Sequence, residues 1–461
     1  MQLAPTTTDI AANLVTRRRK TAPAIPVAPG LPFIGNAVDL FQRPLEFFVQ
    51  SYHDLGPIFR ASGPGRDYVI MAGPEANAFL LNGGEDYLDN KPIYQGVARQ
   101  LKSQNYPIAT DGARHQHMRR TLKPAFNHAA FMCYIPRMIE AAEGGVGRWQ
   151  VGERLGALAA MHRLVGDQMG GAIVQTPLGE RLKDAVTFAR FSVGAGLGAY
   201  PDFLAHAPHY KVAKRRMNAF FHQIVADHRS KPRDEASGDM VDLLLAATDS
   251  EGQPLADEDV IANMQMVYSN SLLYGAPMCA FLLYALLKHP EALRRVRAEV
   301  DAVFADGTPD VRTLQQMQEL RGAMLESMRV LPIALATPRL VAKPFAFGGY
   351  EVQPGQAVLV AVSVCHFLPQ LFPEPYTFDM DRYRAPRNEH HQPGALVPFG
   401  LGAHACLGRG LVELFVMTTL AAILRQVDLA LDPGDYTIRR VVNPFPEPEA
   451  AFAVRVLGRR A

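Results

Sequence analysis

The residues best suited to chemistry lie in one run, Pro398-Phe399-Gly400-Leu401-Gly402-Ala403-His404-Ala405-Cys406-Leu407-Gly408. Gly400 and Gly402 permit positive-φ turns and a close backbone approach. The run therefore reads as a loosened loop that delivers Cys406 to the start of a long helix, Leu407 to Gln426. Amides at a helix N-terminus can donate to an anionic sulfur, and the helix dipole favours thiolate over thiol. The other reading is a buried structural cysteine, the commonest fate of a free Cys. Zinc is a poor match, because His404 and Cys406 have no third and fourth ligand nearby.

Two further runs carry paired groups. Glu326-Ser327-Met328-Arg329 sets a carboxylate and a guanidinium on one helix face; as a surface pair it would contribute about 0.2–0.5 kcal/mol. Asp111 to Arg120 contains Arg114, His115, His117, Arg119 and Arg120 and ends at Pro124-Ala125-Phe126. By itself it is a basic helix with a solvated face.

The elements that must position these groups follow from punctuation and periodicity. Pro23, Pro26, Pro29 and Pro32 give an extended lead-in that cannot be helical. Pro57–Ser62 and Asp67–Ala72 are short β-rich runs joined by Gly63-Pro64-Gly65, a hairpin signal. The middle is helical, for example Glu291–Phe304 and Leu314–Val330. Strand character returns at Pro344–Val352 and Ala357–Val364. An irregular Pro-rich stretch, Pro369–Pro398, leads to the cysteine loop, and Leu429–Ala461 reads as β-rich closing structure. There are no internal repeats. The fold class expected is mainly α with minor β, one large domain over 27–461 after a flexible tail, 1–26.

Composition narrows the function. Lys and Arg number 47 against 45 Asp and Glu, a formal charge of +2, without the basic excess of a nucleic-acid binder. Cys133, Cys279, Cys365 and Cys406 form no CxxC and no disulfide framework, which fits a reducing, cytoplasmic setting. Arg17-Arg18-Arg19-Lys20 has no apolar run beside it and so is not a secretory signal. Val260–Leu287 is free of charge for 28 residues, long enough to span a bilayer. Its Asn263, Gln265, Ser269, Asn270, Ser271 and Pro277 fit better a helix buried on all sides in a large core, with no stable membrane insertion.

Here the sequence resembles the cytochrome P-450 family. The haem signature Phe-x-x-Gly-x-x-x-Cys-x-Gly is matched by Phe399, Gly402, Cys406 and Gly408, and His404 fits the usual basic residue two before the cysteine. The resemblance implies haem b with Cys406 as axial thiolate on its iron, and Phe399, Gly400, His404 and Gly408 around it. Thiolate donation to haem iron favours O–O cleavage. It also implies that Glu326 and Arg329 join Arg382, in Phe378–Tyr383, as a buried charge network; breaking one member would cost about 3–5 kcal/mol. His115, Arg119 and Arg339 match the family's propionate-binding positions, a task that suits guanidinium. Pro29–Asn36 resembles the family's N-terminal hinge, so the likeness runs through nearly the whole chain.

One family element is missing. The acid–alcohol pair of the central helix, which relays protons, falls here on Leu273 and Tyr274 when counted back from Lys288-His289-Pro290-Glu291. The alternative register, Gly275-Ala276-Pro277-Met278, lacks both groups as well. Pro277 removes an amide donor and clashes with the Leu273 carbonyl, so a kink over the haem is expected. Three readings are open: a substrate hydroxyl or water replaces the alcohol, supported by Asn270, Ser271 or Tyr274; the enzyme uses peroxide or rearranges a pre-oxidised substrate; or the haem binds without turnover, as a sensor.

The family resemblance implies an oxidoreductase, a monooxygenase that inserts one oxygen atom into a hydrophobic small molecule of secondary metabolism, terpenoid, fatty-acyl or polyketide-like. Electrons would come from a ferredoxin or flavodoxin with its reductase, docking near Arg409. Expected pocket residues are Tyr94, Val97, Ala98 and Leu101, then Leu273, Tyr274 and Pro277, and Ile333–Thr337, including Ala336; small-molecule pockets are mainly apolar. A non-haem helical binding protein with a coincidental loop is the competing class.

Overall fold

The computed structural model describes residues 23–63, 66–230 and 239–460. The basic run Arg17–Lys20, most of the expected tail and the turn residues Pro64 and Gly65 lie outside the described residues.

The uncharged segment forms the axis of the molecule. Asp257–Asn270 is α-helical, Ser271–Gly275 makes one π turn, and Ala276–Lys288 continues as α-helix. Asp257, Glu258 and Asp259 sit in its first turn and Lys288 in its last, each complementing the dipole. This central helix of 32 residues is long and apolar enough to cross a membrane, but 78% of its most apolar window is buried inside the fold. An all-round apolar helix is what the middle of a large core requires. The expected distortion at Pro277 takes the form of a π turn rather than a plain clash with the Leu273 carbonyl. The π turn widens the helix by one residue just before the proline, the usual device for accommodating such a residue.

Around this axis pack Phe281, Met324, Phe415, Leu420 and Met161, members of one continuous core. They bring together the central helix, the Gln318–Val330 helix, the Arg409–Gln426 helix that follows the cysteine loop, and the Ala157–Ile173 helix. The predicted Leu314–Val330 helix is two, Val311–Gln316 and Gln318–Val330, separated at extended Met317.

The β structure is peripheral. Ile58–Gly63 and Arg66–Ala72 form an antiparallel pair, and Arg66–Ala72 then runs parallel to Ala357–Ala361, Tyr68 opposite Ala357. Thr337–Val341 pairs antiparallel with Ala357–Ala361, so Arg339 lies opposite Val358 in the sheet. Strand Ala357–Ala361 gives way to a 3₁₀ segment at Val362, earlier than the predicted end at Val364. The closing region contains Val427–Leu431 and Ala453–Arg459, paired antiparallel, and a short ladder of Arg440–Val442 with Pro446–Pro448.

Candidate active site

The cysteine loop is built by its glycines. Gly400 and Gly402 have φ of 72° and 70°, where an L side chain would be strained. Between these turns the Cys406 N–H donates to the Phe399 carbonyl at 2.8 Å and closes the loop. The helix begins at Arg409, with Gly408 as its cap, rather than at Leu407. Cys406 therefore precedes the first helical turn, and its exposed face opens on an internal cavity of about 350 Å³. Burial pushes the thiol up, with the Gly408 amide, Arg119 and Arg409 pulling down. The dipole does not prevail as the sequence implied: desolvation of a lone sulfur outweighs it, and a bound cation would reverse that balance.

Cationic and polar groups gather on one side of the loop. Arg119, from the Gly112–Leu122 helix, donates to the Ala405 carbonyl at 2.7 Å. His404 Nε2 meets Asp111 Oδ1 at 3.2 Å. Burial pushes Asp111 up, but the His404 contact and the Lys91 and Asn90 amides leave it below the usual range. Glu85 accepts from the Ala403 amide at 2.5 Å and the His404 amide at 3.3 Å, tying the loop to the sheet region. Arg339 is 4% exposed and donates to Thr337 Oγ1 at 2.6 Å, yet its Nε is buried without a partner. Tyr106, on the cavity wall and fully buried, likewise has an unpartnered hydroxyl. Tyr106 thus offers an unpartnered hydroxyl at the cavity wall, whereas Arg339, off that wall, also has the Glu85 carboxylate 3.7 Å from its Nη2.

His115 also meets the loop backbone. Its Nδ1 lies 2.9 Å from the Pro107 carbonyl and its Nε2 lies 3.1 Å from the Ala403 carbonyl. Both ring nitrogens thus face backbone oxygens, of which a neutral ring donates to one, and the ring lies on the cavity wall.

The central helix supplies the opposite wall. Asn263, Met266, Val267, Asn270, Ser271, Tyr274, Gly275 and Met278 line the cavity, a stripe at alternating three- and one-residue steps, as one helix face demands. Within it Ser271 returns its hydroxyl to the Val267 carbonyl at 2.9 Å. Tyr274 packs against Phe445 with centroids 4.4 Å apart and the rings tilted by 30°, and burial holds its phenol well above the ordinary value. A Cβ at Gly275 would stand 2.4 Å from Phe415 Cζ, so glycine lets the two long helices touch beside the cysteine.

A cytochrome P450 family model matches residues 25–444. The chain belongs to the cytochrome P450 family. Among similar proteins, the cyclooctat-9-en-7-ol 5-monooxygenase of Streptomyces melanosporofaciens is 27% identical over 413 residues, 87% of each chain. The lanosterol 14-alpha demethylase of Mus musculus is 24% identical, over 91% of this chain and 84% of its own length. The crystal structure of the cytochrome P450DA haem domain superposes with a TM-score of 0.83 at 24% identity, covering 96% of this chain and 99% of that one. Retinoic acid-bound cyanobacterial CYP120A1 gives a TM-score of 0.79 at 22% identity, covering 94% and 99%. Membership places this chain among the haem-thiolate oxidoreductases, with the mainly α fold of a P450 haem domain.

Several pocket assignments change in this P450. Val97, Ala98 and Leu101 are core residues: the Lys91–Leu101 helix lies so close to Leu182–Gly196 that a Cβ on Gly96 would meet Gly196 O at 2.1 Å. Tyr94 packs against the same core and is not on the cavity wall. Ile333 borders a separate void with Leu331, and Ala336 packs toward the sheet; Ala334 is the residue of that segment on the wall. Leu273 turns away to pack with Ala189 and Val193, and Pro277 is buried off the wall. The wall residues not anticipated include Tyr106, Pro107, Ile108, Leu122, Phe126 and Met240. Phe126 stood in the Pro124-Ala125-Phe126 run, and Tyr106–Ile108 directly precede the basic helix, so both carried a positional signal.

The Glu326 network is closed within the protein. Arg329 donates Nε and Nη2 to the two Glu326 oxygens at 2.8 and 2.7 Å, and its remaining N–H groups reach the carbonyls of His366, Pro375 and Thr377. Arg382 reaches Glu326 at 3.2 Å, Glu389 at 2.9 Å and the Pro373 and Glu374 carbonyls. Tyr383, unanticipated, donates to Glu326 at 2.7 Å.

Proposed function

We propose that this P450 is a monooxygenase that inserts one atom of dioxygen into a hydrophobic small molecule. In this reading residues 27–461 form the catalytic domain, Cys406 is the axial ligand of haem b, and electrons arrive from a separate ferredoxin or flavodoxin with its reductase in the cytoplasm. The observation that carries the reading is the cavity itself: one thiol faces a space with an apolar wall and a cationic, orphan-bearing edge. That donor set fits haem, an apolar disc with an axial site and two anionic substituents. When bound, haem supplies the redox chemistry that activates oxygen.

The chain's own residues bind and orient. Cys406 anchors the cofactor, with Phe399, Gly400 and Gly408 closing around the sulfur. Arg119 and Arg339 would neutralise the anionic edge, and the His404 ring, which burial keeps neutral, and the Tyr106 hydroxyl would donate to it. Leu411, Phe415, Val267 and Met278 exclude water from the faces. Asn270, whose side chain has no hydrogen bond among the described residues, and Tyr274 present polar atoms to substrate from the central helix. No carboxylate or threonine lies on that stripe, so protons reach the reaction through a substrate hydroxyl or an ordered water held by Asn270, Ser271 and Tyr274. The Streptomyces relative is named for an alcohol substrate, which favours a terpenoid-like alcohol over fatty-acyl or polyketide-like compounds.

The test is a visible titration of ferric protein with terpenoid alcohols and their deoxy analogues. A low- to high-spin shift strongest for the alcohols is expected; equal shifts for both would remove the substrate-hydroxyl relay. The same missing carboxylate and alcohol also support a second reading, a peroxide-using or rearranging enzyme. Peroxide-supported turnover exceeding that with ferredoxin and reductase would favour it. A haem band that no compound moves and no turnover with either oxidant would leave the sensor.

A further inference from the structure

The π turn creates a problem that the central helix does not solve by itself. Ala276 donates its N–H to the carbonyl of Ser271, five residues back. For Leu272 the amide four residues on is therefore already committed. The amide five residues on belongs to Pro277, which has no hydrogen. The Leu272 carbonyl is thus left without a helical donor, on a residue 1% exposed, where an unsatisfied acceptor is costly.

A side chain from another helix fills the gap. His162, in the Ala157–Ile173 helix, places Nε2 3.2 Å from the Leu272 carbonyl in a buried contact. A carbonyl only accepts, so Nε2 carries the proton and donates. We infer that His162 is the surrogate for the missing Pro277 amide: it holds the widened turn open and thereby sets how Asn270 and Tyr274 face the cavity. It is a positioning residue; it does not line the cavity.

The surroundings fit a permanently neutral donor. Burial, and then the Arg190 guanidinium, hold His162 at about 4. Arg190 is itself bound to Glu447 at 2.7 and 2.8 Å, on the same hairpin as Phe445, against which Tyr274 packs. The Tyr274 ring is thus held by the turn that His162 bonds and by the hairpin that Arg190 bonds.

The test asks whether His162 and Pro277 are one device. Four holoprotein variants are made: H162F, H162Q, P277A and the double H162F/P277A. Amide hydrogen exchange of the peptide covering residues 268–280 reads the turn, and the visible haem band is recorded separately. H162F should speed exchange there by about ten- to a hundredfold, the factor for leaving one buried carbonyl without a donor. H162Q, which keeps an N–H, should recover most of the protection. In the P277A background, where residue 277 has an amide again, H162F should change exchange by less than about twofold, since the coupled pair is no longer needed. Equal acceleration by H162F in both backgrounds would overturn the inference and leave His162 as packing. Should H162F alone fail to fold, recovery by P277A supports the device and continued failure overturns it. A normal exchange pattern without a haem band would instead defeat the haem assignment and leave this inference standing.

Discussion

Among the described residues, buried guanidinium groups occur in two regions, and their surroundings differ in kind. Around Glu326, Arg329 and Arg382 are 0–1% exposed and every direction of their fork ends on a carboxylate or a backbone carbonyl. Beside the cysteine loop, Arg339 is equally dry but keeps an unpartnered Nε, Tyr106 an unpartnered hydroxyl, and Arg119 has one protein hydrogen bond. The first region is complete without any other molecule. The second keeps unpaired donors, with Glu85 the carboxylate nearest Arg339, 3.7 Å away. Full pairing suits a charge that holds the fold, and an unpaired donor on a cavity wall, as at Tyr106, leaves room for a ligand.

The comparison can be broken most severely at its closed side. Arg329→Ala leaves Glu326 buried with one cation fewer, and a loss of about 3–5 kcal/mol in urea unfolding is expected. A change under about 1 kcal/mol would show that the network is not integral to the fold. Acid tests the same region from another direction. The His366 carbonyl accepts from Arg329, and its Nε2 accepts from the Val397 amide at 2.9 Å, so the ring is neutral in the fold. Burial and then Arg329 hold its pKa at about 3, below the ordinary 6.5. The unfolded chain therefore binds the proton first, and stability is full above pH 6.5 and lost as pH falls from there toward 3. The thermal midpoint should drop across that window, and a His366→Gln variant should show a shallower drop.

The open side should respond in ligand retention. Arg119→Ala is expected to shift the unfolding midpoint of the haem-free protein little, while haem passes to an acceptor protein about tenfold faster, the scale of one charge-assisted hydrogen bond. Equal losses in both measurements would make Arg119 part of the scaffold. Tyr106→Phe sharpens the contrast with the smallest change. Removing an unpartnered hydroxyl should leave apo stability unchanged or slightly higher, and weaken haem retention by a few-fold. Unaltered retention would mean the hydroxyl does not meet the cofactor.

Much was legible in the chain because its local chemistry was constrained. Gly400, Gly402 and Cys406 announce a tight loop before a helix, since only glycine adopts those φ values cheaply. The uncharged run from Val260 to Leu287 had to be buried or spanning, and its polar residues pointed to the former. Glu326 and Arg329, three apart, had to share a helix face. What could not be read was where a face points. Val97, Ala98 and Leu101 are as apolar as cavity walls, yet Gly96 against Gly196 seats them on another helix. Leu273 and Tyr274 are neighbours in sequence, and the π turn sends one into the core and the other to the cavity. His115 has the spacing of a ligand donor, and its nitrogens lie beside the Pro107 and Ala403 carbonyls, which are far apart in the chain.

Sequence by itself determined the identity of the thiol, the mainly helical fold and the pairs that lie one turn apart, because these depend on backbone geometry within a few residues. Tertiary structure alone decided which buried charges are satisfied, which helix face meets the cavity and which residue replaces the hydrogen that Pro277 lacks. Those outcomes depend on hydrogen-bond partners from distant segments, and a chain carries no local trace of a partner it meets only on folding.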